Sequence, residues 1–529
     1  TALLFTQKKS NFTSHAVSYC QLHITVQTQH PMTKHIDPKQ ITPLRRPFVS
    51  VIISLATLFT ATAAAAPRST GNITAETADT MPRHRLHNDL YRVRISTDNG
   101  RRCIKVHGAL VSDITRRDRN NIDTTGAART LMGFAMFTDD FTSPVTVRVR
   151  RRGQPFDSVE VRPAAYAIPT RRISRRTVEF TLERPTQKVS VEFDGDRARN
   201  LFVLPDLPDT AAPRASSPDT LYFGKGEHHA GLITLRSGQT LYIDEGAVVY
   251  GTVRSYDTRD ITIAGRGILC GSYAPHHLDT RRVMVDLVGC RNVSISGIML
   301  RDSPSWTLCI QRSESVRIEN VKQICWMRNS DGVDLCNSRG VVMEGCFMRN
   351  YDDNISLKNE PWNVGDTRDI TIRECVFWAD CAHNFLVGPE SDPRFRTDDV
   401  EFADCILLEG RETLYPYKGA MAMMISDEGR FSDIRIRRIT VDDPRGASLF
   451  SFDYCKFNTR GREARDILIE DIRYDGPQPP RSLLHGLDDK HPIDGITFRN
   501  VTINGVRLTE QNFGDYFDVN AHVRGLVIE

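Results

Sequence analysis

The sequence predicts an all-β protein in which a small N-terminal β-sandwich domain precedes a right-handed parallel β-helix. Three observations predict it. Short β-branched triplets and quartets recur at intervals of 23 to 34 residues through the C-terminal part, a range of self-similarity that signals a solenoid. Ahead of them come short runs with period-two alternation, separated by Gly, Pro, Asp and Asn, the pattern of sandwich strands. Finally, 529 residues exceed one ordinary domain, and 40% hydrophobic with 26% charged residues is the balance of a globular chain with ample material for cores.

Residues 1–66 carry six Lys or Arg against one acid, Asp37, and removing them takes the formal charge from +3 to −2. A near-neutral remainder without a basic block gives no electrostatic ground for a nucleic-acid partner. Arg45 and Arg46 precede an apolar run from Phe48 to Phe59, then small residues to Ala66 and Pro67. That is the order of a secretory signal peptide, with Met32 as an alternative start. The apolar run is shorter than the roughly 20 residues a spanning helix needs. The expectation is therefore a secreted or periplasmic protein with no stable membrane span after cleavage. Residues 67–89 read as a linker.

Residues 90–204 contain LYRVRIS, PVTVRVRRR, VEVRP, TVEFTLE and KVSVEFDG, the strands of the sandwich. The basic run Arg148, Arg150, Arg151 and Arg152 reads as the exposed face of an edge strand, since charge protects sheet edges. A Pro- and Asp-rich connector spans 205–220. From 221 to 529 the repeat anchors are Ile261, Val293, Val316, Val341, Ile370, Val400, Ile434, Ile467, Ile496 and Leu526, each usually preceded by a polar residue or Gly. The sandwich is expected to cap one end of the solenoid, while the other is blunt or shielded by residues 506–520. Of twelve cysteines, Cys20 falls in the leader, leaving an odd number and so at least one without an intramolecular disulfide partner. Cys346, Cys375 and Cys405 recur at 29 and 30 residues and predict a stack of buried thiols. No Cys/His spacing points to a metal, and no cofactor is implied.

The chemistry concentrates in Asn329 to Lys358, NSDGVDLCNSRGVVMEGCFMRNYDDNISLK. Asp352 and Asp353 follow Asp331 by 21 and 22 residues, close to one turn. Parallel strands lie ~4.8 Å apart, so carboxylates one turn apart repel and raise at least one pKa, giving a proton donor beside an ionised base. Two such carboxyl groups are what glycoside hydrolysis needs. A lone Asp beside Asn or Gly would instead be a turn residue. Asp334 is three residues from Asp331, so strand alternation sends the two to opposite faces and only one is expected to act. The shortest intervals, 23 and 25, predict a groove floor here with walls near Pro361 and Tyr415. All four tryptophans, Trp306, Trp326, Trp362 and Trp378, fall within 73 residues around the acids, and sugar rings stack on aromatic faces. Trp326 and Trp362 are the candidate platforms, with Trp362 the exposed one. Trp378 is assigned to the interior of the β-helix, and Tyr417 faces the groove from the opposite wall or stiffens its loop. His383 either orients a catalytic Asp, bonds a sugar hydroxyl or is structural; Glu390 is a further groove acid or a turn residue.

NSDGVD followed by YDDNISLK resembles the NTDG and DD motifs of the polygalacturonases. The same stretch with Trp378 is similar to the dextranase and isopullulanase family, which also carries an N-terminal β-sandwich. Both families are right-handed parallel β-helices that hydrolyse glycosidic bonds with inversion. The resemblance implies that Asp352 or Asp353 is the general acid, Asp352 being favoured, while Asp331 and the remaining aspartate activate water. Two motifs depart from it. CAHNFLVGPE stands where polygalacturonases have Gly-His-Gly, and their Arg-Ile-Lys motif has no counterpart; Lys358 and Lys418 are the nearest cations for a substrate carboxylate. A polysaccharide lyase on the same scaffold would use a Lys or Arg base, often with calcium on the aspartates. A non-catalytic carbohydrate-binding β-helix would not need three acids at matched turns.

Overall fold

The computed structural model describes residues 88–98, 100–112, 129–273, 283–411, 419–455 and 457–529. The expected signal peptide, Tyr415, Tyr417 and Lys418 lie outside the described residues.

Two five-stranded sheets form the N-terminal sandwich. The outer sheet orders Gly100–Ile104, Tyr91–Thr97, Val145–Arg151, Thr177–Leu182 and Arg171–Ser174, all antiparallel. The arginine-rich strand Val145–Arg151 therefore pairs on both sides, and the edge-strand expectation is corrected: it is the central strand. Its alternation of Val with Arg or Thr arises because one face packs on the sandwich core while the other meets solvent.

The inner sheet orders Val106–Ser112, Arg129–Thr138, Leu201–Asp206, Val189–Phe193 and Val159–Arg162. Its strand Leu201–Asp206 is apolar on both faces from Leu201 to Leu204. Leu201 and Val203 enter the sandwich core, whereas Phe202 and Leu204 pack with Tyr250, Ile268, Met299, Ile324, Phe347, Trp378 and Leu408 of the solenoid. These partners come from successive turns, so the sandwich lies along the flank of the solenoid rather than over its end, contrary to the capping expectation. The physical reason is a lengthwise stripe of apolar side chains pointing outward, which must be covered.

That stripe includes Trp378, which is buried but not inside the β-helix as expected. Phe377 takes the interior position, so alternation sends Trp378 outward. Its ring meets Phe202 edge-on at 5.9 Å and carries the Arg349 guanidinium 4.2 Å from its centroid. Ion pairs reinforce the contact. Arg162 bonds Glu192, Asp442 and the Leu408 carbonyl, and Arg349 pairs with Asp380 at 2.9 Å while reaching Asn200.

The solenoid is one continuous sheet from Thr220–Phe223 to Val523–Ile528, with parallel pairing from turn to turn and the right-handed crossover that strand twist favours. The ten repeat anchors are paired Cα to Cα in unbroken series, Ile261 with Val293 through to Ile496 with Leu526. The residue before each anchor turns the corner with positive φ: Asp260, Asn292, Ser315, Gly340, Asp369, Asp399, Asp433, Asp466, Gly495 and Gly525. Asn, Asp and Gly tolerate this conformation best, which explains the polar residue or Gly before each β-branched run. Cys346, Cys375 and Cys405 stack inside the core as free thiols, the Cys346 N–H donating to the Cys375 sulfur at 3.4 Å. Leu508, Phe513 and Phe517 join the same core, so the 506–520 segment does shield the last turns.

Phe202 has no exposed surface and fills the space between Phe347 and Trp378. Phe202→Ala should destabilise the protein by about 3–5 kcal/mol, read from the denaturant midpoint. A loss below about 1 kcal/mol would mean that the two domains do not depend on this contact.

Candidate functional site

Three successive corners of the solenoid stack above one another. The Gly332 N–H donates to the Asp353 carbonyl at 2.7 Å, and the Asn354 N–H to the His383 carbonyl at 2.9 Å. Asp331, Asp353 and His383 are thereby set in a column just before the strands Val333–Cys336, Ile355–Lys358 and Phe385–Val387. Behind the column runs an amide ladder. Asn350 donates to Gln323 and Asn354, Asn354 donates to Asn384, and Asn384 donates to the Glu409 carbonyl, at 2.8 to 3.0 Å. Gly332 fits because an added Cβ would meet the Asn354 carbonyl oxygen at 2.4 Å and the Asn350 amide at 2.5 Å.

The acids converge on one cation. Lys358 Nζ lies 3.0 Å from Asp334, 3.0 Å from Glu390 and 3.8 Å from Asp331, and sits 3.8 Å from the centroid of the Trp306 ring. Asp331 and Asp334 thus share a face, correcting the opposite-face expectation. Alternation applies only within the strand, which begins at Val333; Asp331 belongs to the preceding corner and is not bound by it. Lys358 is buried among carboxylates, so it is not the open cation that a substrate carboxylate would need.

Asp353 accepts from both the backbone N–H and Nδ1 of His383, at 3.0 and 2.6 Å. Burial alone would raise its pKa, but the His383 charge and hydrogen bonds hold it below the usual carboxylate value. Asp331 goes the other way. Burial, then repulsion from Asp334 and Asp352, pushes its pKa well up despite Lys358. Burial also raises Asp334, to about 6, with Lys358 opposing. Lys358 itself would lose its proton on burial, yet Asp334, Glu390 and Asp331 keep it charged. Asp352 sits between the two groups: its Oδ2 accepts from the Asn329 N–H and its Oδ1 from the Asp353 N–H, both at 3.2 Å. The surroundings therefore push the pKa values of Asp331 and Asp353, on neighbouring turns, in opposite directions, the arrangement that acid and base chemistry uses.

Of the residues singled out in the sequence, Asp331, Asp352, Asp353, His383, Lys358 and Glu390 come together. Trp362 is 45% exposed on its loop, which Asn363 ties to Gln311 at 3.1 Å. Trp326 is corrected: it is 4% exposed and offers no open ring to a sugar. Its carbonyl accepts the Ser112 hydroxyl of the sandwich at 2.8 Å, because the chain after Lys322–Cys325 runs on beneath that domain. Trp306, the Asp334 carboxylate and the amide ladder were not identified as parts of the site. The ladder had a signal, an Asn at Asn350, Asn354 and Asn384 beside the acids and the histidine.

The sequence model of Glycosyl hydrolases family 28 matches residues 274–513. An exopolygalacturonase of Cochliobolus carbonum is 28% identical over 119 residues, 20% of this chain and 27% of that protein. A "Probable polygalacturonase" of Vitis vinifera is 21% identical over 243 residues, 42% and 47%. The chain thus spans less than half the length of these curated relatives. Among solved structures, Dex49A from Penicillium minioluteum aligns at 14% identity and a TM-score of 0.49, covering 85% of this chain and 96% of that one. The family 28 exopolygalacturonase of Yersinia enterocolitica aligns at 11% identity and 0.40, covering 72% and 93%. The corner acids, Lys358 and His383 all lie inside the segment 274–513 that this family model matches.

Proposed function

We propose that the protein is a secreted glycoside hydrolase that cuts a polysaccharide with inversion, using Asp352 as general acid and Asp353 as general base. The observation that carries this reading is the column of Asp331, Asp353 and His383 on adjacent corners, with the His383–Asp353 contact at 2.6 Å lowering the pKa of Asp353 while burial raises that of Asp331. The family match supports the reaction class, and the leader Arg45 to Pro67 supports secretion.

In the proposed reaction, water enters the gap between the acids, which inversion sets at roughly 6.5–9.5 Å. Asp353 takes a proton from that water as its oxygen bonds the anomeric carbon. The glycosidic C–O bond breaks, and Asp352 gives its proton to the leaving oxygen. Asp331, whose pKa burial raises, positions the water. Trp362 gives the sugar a ring to stack on.

The first test is release of reducing ends from a panel of neutral and acidic polysaccharides, including polygalacturonate and dextran. Asp352→Asn and Asp353→Asn should each lower kcat by at least ~100-fold while the melting temperature stays near that of the parent. Near-normal turnover by both variants would overturn the assignment.

The pH dependence gives a second test. The base must be ionised, and His383 lowers the pKa of Asp353, so His383→Ala should move the acidic limb of kcat/KM to higher pH. The alkaline limb, set by the general acid, should move less. An acidic limb that does not move would show that Asp353 is not the base.

A further inference from the structure

The outer sheet of the sandwich has one face on the core and one uncovered. Alternation sends Val93, Ile95, Val147, Val149, Val178 and Phe180 inward, so Arg92, Arg94, Arg148, Arg150 and Glu179 face outward. Register then places Arg92 opposite Arg150 and Arg94 opposite Arg148. Arg101 lies outward beside Ser96 on one flank, and Arg171 beside Glu179 on the other. Six arginines thus share a face whose strands supply one acid, Glu179, and Arg148 and Arg171 already pair with it.

Like charges directly opposite one another in a sheet are destabilising, yet this sheet holds two such pairs. Edge protection does not account for them, because Val145–Arg151 is the central strand. The positive field is felt locally: hydrogen bonds from Arg94, then Arg92, hold the exposed Cys103 thiol below its usual range.

We propose that this face binds a linear carboxylated polysaccharide, docking the polymer on the sandwich while the solenoid acids act on it. The guanidinium rows repeat every ~4.8 Å across strands and roughly 7 Å along them, which suits a chain that carries a charge on each sugar. Guanidinium also recognises carboxylate through paired N–H donors; Arg148 already does so with Glu179, through Nε at 2.9 Å and Nη2 at 2.5 Å. The outward neighbours of the arginines are Ser96, Thr146, Thr177 and Thr181, none of them aromatic, so the face lacks the stacking platforms of single-stranded nucleic-acid binders. The choice of a glycan rests on the glycoside hydrolase reading of the solenoid.

The test uses the full chain carrying Asp352→Asn, so that bound polymer is not cut. Calorimetric titration with sodium polygalacturonate is compared with and without the combined Arg92→Ser, Arg94→Ser and Arg150→Ser substitutions. The triple substitution should weaken binding by at least ~10-fold, with affinity falling as salt rises, and bound polymer should slow alkylation of Cys103 by iodoacetamide. Arg92→Lys, Arg94→Lys and Arg150→Lys together should keep most of the binding, which separates loss of charge from loss of fold. Unchanged affinity in the serine variant, or equal binding of neutral dextran, would overturn the proposal. Tighter binding of single-stranded DNA would replace it with a nucleic-acid surface. Because binding is read without turnover, its failure is distinct from absence of reducing ends in the parent protein.

Discussion

The candidate site depends on one buried ammonium. Asp331, Asp334 and Glu390 are brought together by the stacking of turns, and bare carboxylates so close in a water-poor setting would repel strongly. Lys358 offsets part of that repulsion, and protonation offsets more, which is why Asp331 and Asp334 rise while Lys358 stays charged. Trp306 closes the far side of the ammonium with its ring face, a contact that favours the cation without adding another negative charge. The raised pKa values of Asp331 and Asp334 are therefore a consequence of burial and of packing more carboxylates than cations into one place.

Position is fixed separately from charge. The column of Asp331, Asp353 and His383 is set by backbone bonds between corners, and the amides of Asn350, Asn354 and Asn384 are linked in series beneath it. A buried ladder of this kind restricts the arrangements open to each corner. Asp353 and His383 can then hold a 2.6 Å contact without ordering flexible groups at the moment of reaction, which is how preorganised sites lower barriers.

Much of this was legible in the sequence, and what was not has physical causes. The ten anchors could be read because a parallel solenoid repeats its interior contacts, so each turn needs a β-branched residue after a residue tolerant of positive φ. Asp331, Asp352 and Asp353 could be read because their spacing matches one turn. Asp334 was misplaced because its relation to Asp331 depends on where the corner ends and the strand begins, a boundary that alternation does not reveal. Trp326 and Trp378 were misplaced because an aromatic residue next to acids reads alike whether it faces a groove, the interior or a neighbouring domain.

The flank position of the sandwich follows from the same logic of alternation, taken one step further. A strand with one face in the solenoid core and one in water alternates apolar and polar, as Arg291–Ser296 does. Ile268–Cys270, Met299–Arg301 and Val376–Ala379 are instead buried on both sides, the mark of strands covered by a second layer. The inner sheet of the sandwich shows the complementary mark in Leu201–Asp206, every residue of which is buried. Two elements that each expose a double-faced apolar strand have to meet along their length, since an end-on cap would cover one turn and leave the rest of the stripe in water. The buried pairs of Arg162 and Arg349 lie on that seam, where an unpaired charge would be costly. Solenoid and sandwich therefore share one buried seam, and the outer sheet is left as the part of the sandwich free to meet something else.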